Sequence, residues 1–156
     1  MFDMYNDILL TSPSLINTSS NSVVESVNLN ELFTTFINRL EGWKTKCKNL
    51  HWSAPKKNIH TYLDEFLDVL SDYQDGLAEE IMGITGKFQP NMLKGIPSNT
   101  LNAMDFIEEV KIATLAFYDK IPQESIYKGV TSECETFIHN INKYIYLFGL
   151  TDIRLY

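Results

Sequence analysis

Four segments of this chain repeat apolar residues at steps of three and four, and no stretch alternates as a strand would for more than a few residues. That pattern restricts the fold to helices packed on helices. The first segment begins at Asn28, where Asn28 and Glu31 resemble a capping box. Leu29, Leu32, Phe33, Phe36, Ile37, Leu40, Trp43, Cys47 and Leu50 then share one stripe. Pro55 disfavours helical geometry in the residue before it, so this helix should end near Trp52 or Ser53. The second starts around Lys57, buries Leu63, Phe66, Leu67, Leu70, Leu77 and Ile81, and is closed by Gly83 and Gly86. The third runs from about Thr100 to Lys120 with Leu101, Met104, Ile107 and Leu115 inward. The fourth follows Pro122 and keeps Ile126, Val130, Cys134, Phe137, Ile138, Ile141, Ile145 and Phe148 in register up to Gly149. Between the second and third lies KFQPNMLKGIPSN, a long connection with room for a short helix. The expectation is an all-α, antiparallel four-helix bundle over residues 29–156. Residues 1–28 should form a separate N-terminal arm, mobile or surface-draped, because SPSLINTSSNS is polar and aperiodic. The short apolar start of the arm suits docking on a neighbouring subunit.

Composition narrows the functional classes. A chain of 156 residues, 44% hydrophobic and 21% charged, is long enough for one real core. No apolar run approaches the ~20 residues needed to span a bilayer. The first Lys or Arg is Arg39, so the basic start of a secretory signal is missing. Two scattered cysteines fit neither a disulfide framework nor a zinc finger, and they suggest small buried groups in a reducing, cytoplasmic setting. The net charge of -7 repels nucleic acid over most of the surface and suits cations instead.

The chemistry-bearing residues gather around the second helix. His60 and Asp64 are four apart and share a face, as do Asp75 and Glu79. At about 100° per residue, all four point roughly the same way. Along the axis, however, His60 and Glu79 are separated by roughly 28 Å at 1.5 Å per residue. Ligands must lie within roughly 2.0–2.6 Å of an ion, so one straight helix cannot bring both ends to one metal.

Two copies of the helix can. In an antiparallel pair about a twofold axis, facing residues have a constant sum of residue numbers. His60 with Glu79 and Asp64 with Asp75 share the same sum, so one axis near Val69 and Leu70 serves both. His51 lies at the same end of the bundle as His60. Each of two sites per dimer would then hold His51, His60 and Asp64 of one chain and Asp75 and Glu79 of the other. Carboxylates at this spacing are also common on solvated helix faces, so spacing alone leaves both readings open.

The residue pattern resembles the Dps family, the DNA-binding proteins from starved cells, which are miniferritins of the ferritin-like superfamily. The resemblance rests on His51-Trp52 ending the first helix, His60 opening the second, Asp64 one turn later, and Asp75-Gly-Leu-Ala-Glu79-Glu80 further on. The exit ITGKFQP agrees as well, and KYIYLFGL is a weaker echo. The likeness extends over residues 29–92. Departures are a shorter loop between His51 and His60, and Glu80 where the family has a basic residue.

The resemblance implies a ferroxidase-type oxidoreductase. It would oxidise Fe(II), often with hydrogen peroxide, and store Fe(III) inside a hollow homo-oligomer, a dodecamer built on twofold dimers. That activity protects against oxidative damage. His51, His60, Asp64, Asp75 and Glu79 would be both the metal ligands and the catalytic residues, with Glu79 strongest and His60 and Asp64 weaker or supporting. Trp52 would pack at an interface, and His139 would be a surface or interface histidine. DNA binding is not expected, because the arm lacks lysine. The alternatives are a structural ferritin-fold assembly protein with a vestigial iron site and a DNA-protecting scaffold. A larger ferritin or a rubrerythrin is disfavoured because no E-x-x-H occurs in the chain.

Overall fold

The computed structural model describes residues 28–86 and 93–151. Of the expected N-terminal arm, only Asn28 falls within them. The described chain forms α1 (Leu29–Trp52), α2 (Lys57–Thr85), α3 (Ala103–Tyr118) and α4 (Lys128–Gly149), with a 3-10 turn at Ser125–Tyr127. Among the described residues there is no strand, and no helix is long and apolar enough to cross a membrane.

Local chemistry sets the helix ends. Asn28 Oδ1 accepts the Glu31 backbone N–H at 3.3 Å and opens α1. The helix closes where the Ser53 backbone N–H and hydroxyl both donate to the Asn49 carbonyl, two residues before Pro55. Gly86 ends α2 at φ 96°, a backbone conformation open mainly to glycine, and its N–H returns to the Met82 carbonyl. Gly83 does not share that role. It lies inside α2, where a lone glycine only lowers helix propensity by about 1 kcal/mol.

The third helix starts later than its apolar pattern suggests. Asn102 Oδ1 accepts the Asp105 N–H at 2.9 Å, so the first helical residue is Ala103 rather than Thr100. Leu101 therefore precedes the helix and is 87% exposed instead of buried. The helix ends at Tyr118, short of Lys120, and its buried stripe is Phe106, Ile107, Val110, Thr114 and Phe117. Leu115 points away from that stripe and is exposed. Ile126 also differs from expectation: it sits on the 3-10 turn before α4, 61% exposed.

The helices pack in a closed circuit, α1 on α2, α2 on α4, α4 on α3 and α3 on α1. Aromatic rings fill the centre. Phe36 stacks on Phe117 with centroids 3.9 Å apart, Tyr73 on Phe137 at 4.1 Å, and Phe66 meets Phe106, Phe137 and Tyr144. Burying one such side chain contributes roughly 1.5–3 kcal/mol, well above what a surface ion pair such as Lys44–Glu41 supplies.

The connection between α2 and α3 is pinned rather than loose where it is described. Asn38 takes the Ile96 N–H on its backbone carbonyl at 2.9 Å and the Lys94 N–H on its side chain at 2.6 Å. Ser98 donates to Glu109 Oε2 at 3.1 Å, while the Trp43 indole N–H donates to Glu109 Oε1 at 2.9 Å. Residues 93–102 contain no helical turn, and the rest of the expected short helix, 87–92, lies outside the described residues.

Candidate metal-binding site

The turn between α1 and α2 places His51, on the last turn of α1, against His60, on the first turns of α2. Their rings stack with centroids 3.7 Å apart and planes inclined by 25°. Each ring is held by the other residue's backbone. His51 Nδ1 lies 2.9 Å from the His60 carbonyl oxygen, and His60 Nδ1 lies 2.9 Å from the His51 carbonyl oxygen. A carbonyl oxygen can only accept, so both Nδ1 atoms carry the hydrogen. In the neutral imidazoles, both Nε2 atoms then retain a lone pair, and among the described residues neither has a hydrogen-bond partner. A histidine that ligates a metal commonly donates its other N–H to a carbonyl in this way, which fixes tautomer and ring orientation.

Asp64, one turn beyond His60, approaches the same group. Its Oδ1 is 3.9 Å from His51 Nε2, too far for a hydrogen bond but close enough to share a small cation. The carboxylate is exposed, His51 is half-buried and His60 is exposed. The short loop between the two histidines thus brings His51 onto His60. Lys56 holds the turn in place by donating from Nζ to the Thr151 carbonyl at 2.8 Å, beyond the end of α4.

Asp75 and Glu79 stand apart from this group. Both are exposed on α2, and Asp75 lies fifteen residues past His60, roughly 22 Å along the axis. Among the described residues of one protomer, no group of three or more His, Cys, Asp and Glu side chains is arranged to hold a metal ion. One chain therefore presents two separate half-sets: imidazoles with Asp64 at the start of α2, and a carboxylate pair near its end. Asp68 and Asp72 are exposed on the helix between them. The signal for them in the sequence is spacing alone, since Asp64, Asp68 and Asp72 recur every four residues. For Lys56 the only sequence signal is its place immediately before α2.

The neighbouring groups have clear roles of their own. Trp52 is 69% exposed and carries the Lys48 ammonium over its ring, 5.8 Å from the centroid. His139 is exposed on α4. Cys47 and Cys134 are free and buried. Burial, with the nearby Asp64 charge adding to it, pushes the Cys47 thiol up to about 12. Burial also raises Cys134 to about 11. Neither thiol is a thiolate ligand near neutral pH. Comparison with protein-family models, with curated proteins and with solved structures finds no match, so the functional reading of this site rests on its residues and their geometry.

Proposed function

We propose that this chain is a Dps-like iron-binding protein of ferritin-like fold. Its substrate is Fe(II), oxidised at sites shared between two protomers and sequestered as Fe(III) in a hollow oligomer. The observation that carries the proposal is the His51–His60 pair, with both Nδ1 atoms committed to backbone carbonyls and both Nε2 atoms without a hydrogen-bond partner among the described residues. Imidazole nitrogen suits Fe(II), and carboxylate oxygen also tolerates the harder Fe(III) product. A second protomer, with its α2 antiparallel about a twofold axis near Val69 and Leu70, would bring Asp75 and Glu79 to that pair. With hydrogen peroxide as oxidant, two Fe(II) would give one electron each as the O–O bond breaks, and two protons from solvent would complete two water molecules. A sparse ligand set would leave room for the oxidant.

The helix order supports the ferritin-like part of the proposal. Ile37 meets Gln74 while Cys47 meets Leu63, so α1 and α2 run in opposite directions. Phe36 meets Phe117 while Trp43 meets Glu109, and Tyr73 meets Phe137 while Phe66 meets Tyr144. On the same argument α3 opposes α1, and α4 opposes α2. The resulting order, up, down, down, up, needs the long α2–α3 connection to travel the length of the bundle. A ferritin-like antiparallel bundle with one long crossover would have this order, which supports the reading.

A structural assembly protein with a vestigial iron site is the second reading, favoured by the absence, among the described residues of one protomer, of three or more side chains arranged to hold a metal ion. Native mass measurement combined with an Fe(II) oxidation assay separates the two. An oligomer that oxidises Fe(II) faster than free solution supports the shared site. An oligomer without that activity supports the vestigial one, and a monomer removes the shared site altogether. A gel shift at low salt tests the DNA-protecting scaffold, and the net charge of -7 leads to the expectation of no shift.

A further inference from the structure

We infer that the groove between the start of α1 and the end of α3 is the seat of the chain's own N-terminal segment, MFDMYNDILL. The groove encloses about 450 Å³. The stacked pair Phe36 and Phe117 forms its floor, Leu32 extends the apolar wall, and Arg39 and Lys120 stand at its rim. Among the described residues, neither cation has a carboxylate within 4.0 Å. Glu31 is the only acidic group in the lining, so the rim carries a net positive charge.

The segment matches in chemistry. Residues 1–27 contain Asp3, Asp7 and Glu25 but no Lys or Arg. The first ten residues combine seven large apolar side chains with two carboxylates four positions apart. The stretch that follows, TSPSLINTSSNS, is polar and offers no rival of comparable apolar content.

Chain geometry favours docking within one protomer. Asn28, the first described residue, itself lines the groove, so the chain leaves α1 at the groove's own end. A polar linker of the length of residues 11–27 spans roughly 23 Å as a coil, at 5–6 Å times the square root of its length. Arg39 is eleven residues into the helix, roughly 16 Å from Asn28. The segment can therefore return to the groove without strain, at an effective concentration on the order of millimolar. Contact with apolar floor and cationic rim would be made by its rings and its carboxylates respectively.

The test uses the full chain with Phe2 replaced by the photocrosslinker p-benzoylphenylalanine, irradiated as a mixture of isotopically light and heavy protein. The expected result is crosslinks within one chain to groove residues such as Leu32, Ala113 and Ala116. The yield should fall at least fivefold in Arg39→Glu/Lys120→Glu and recover when Asp3→Lys/Asp7→Lys is added. Crosslinks joining light to heavy chains, crosslinks scattered over the surface, or none at all would overturn the proposal. So would a yield insensitive to the charge reversal in protein whose helical circular dichroism is unchanged.

Discussion

At the residue scale, what matters most is that two histidines orient each other. Each ring donates its Nδ1–H to the other residue's backbone carbonyl, so an alanine at either position keeps the acceptor of the remaining ring and removes one imidazole with its stacking contact. His60→Ala and Glu79→Ala are both expected to slow Fe(II) oxidation at least tenfold, on the scale seen when groups supporting a metal ligand are removed. Stopped-flow absorbance would measure the rate, and native mass would show the oligomer unchanged. Aggregation of both variants would point instead to a structural role. That the histidines and Asp64 belong together could be read in the sequence, because a short turn around Pro55 leaves them little distance to separate. Their mutual bonds could not, since the acceptors are backbone carbonyls, which every residue carries.

At the scale of elements, the connection between α2 and α3 is held by one small residue. A Cβ on Gly42 would collide with the Ile96 backbone carbonyl, while Gly95 also packs closely on it. Backbone cannot move aside as a flexible side chain can. Gly42→Ala should therefore cost roughly 1–3 kcal/mol despite the better helix propensity of alanine, read as a lower urea midpoint with native circular dichroism in the absence of denaturant. Asn28→Ala removes only a terminal cap and should cost about 1 kcal/mol by the same measurement. The helix spans were largely legible, because apolar periodicity and Pro55 mark them from within. The start of α3 lies three residues later than the apolar pattern places it, since Leu101 continues that pattern while the cap at Asn102 overrides it. Gly42 gives no hint of its partner, which is fifty-four residues away in the chain.

For the whole molecule, buried ionisable groups in the aromatic core make stability depend on alkaline pH. Burial raises Cys47 from its ordinary 9.0 to about 12 and Cys134 from 9.0 to about 11. Burial, with Glu65 adding, takes Tyr144 from 10.0 to about 12, and burial also raises Tyr73. The folded chain thus keeps protons that the unfolded chain releases from about pH 9 upward. Their contribution is complete below pH 9.0 and is lost as pH rises towards about 12. The urea midpoint should fall between pH 9 and 11, and Cys47→Ala/Cys134→Ala, although less stable throughout, should show a shallower slope. A midpoint independent of pH over that interval would contradict the burial of these thiols. The sequence by itself determined that the chain is helical, where its helices begin and end to within a few residues, and that His60 with Asp64 and Asp75 with Glu79 lie towards opposite ends of α2. These follow from local periodicity, caps and a fixed rise per residue. Only the tertiary structure decided that the two imidazoles lock through backbone carbonyls, that the α2–α3 connection threads against Gly42, and that Arg39 and Lys120 face one groove. Each of those depends on the distance between residues far apart in the chain, which no local propensity encodes.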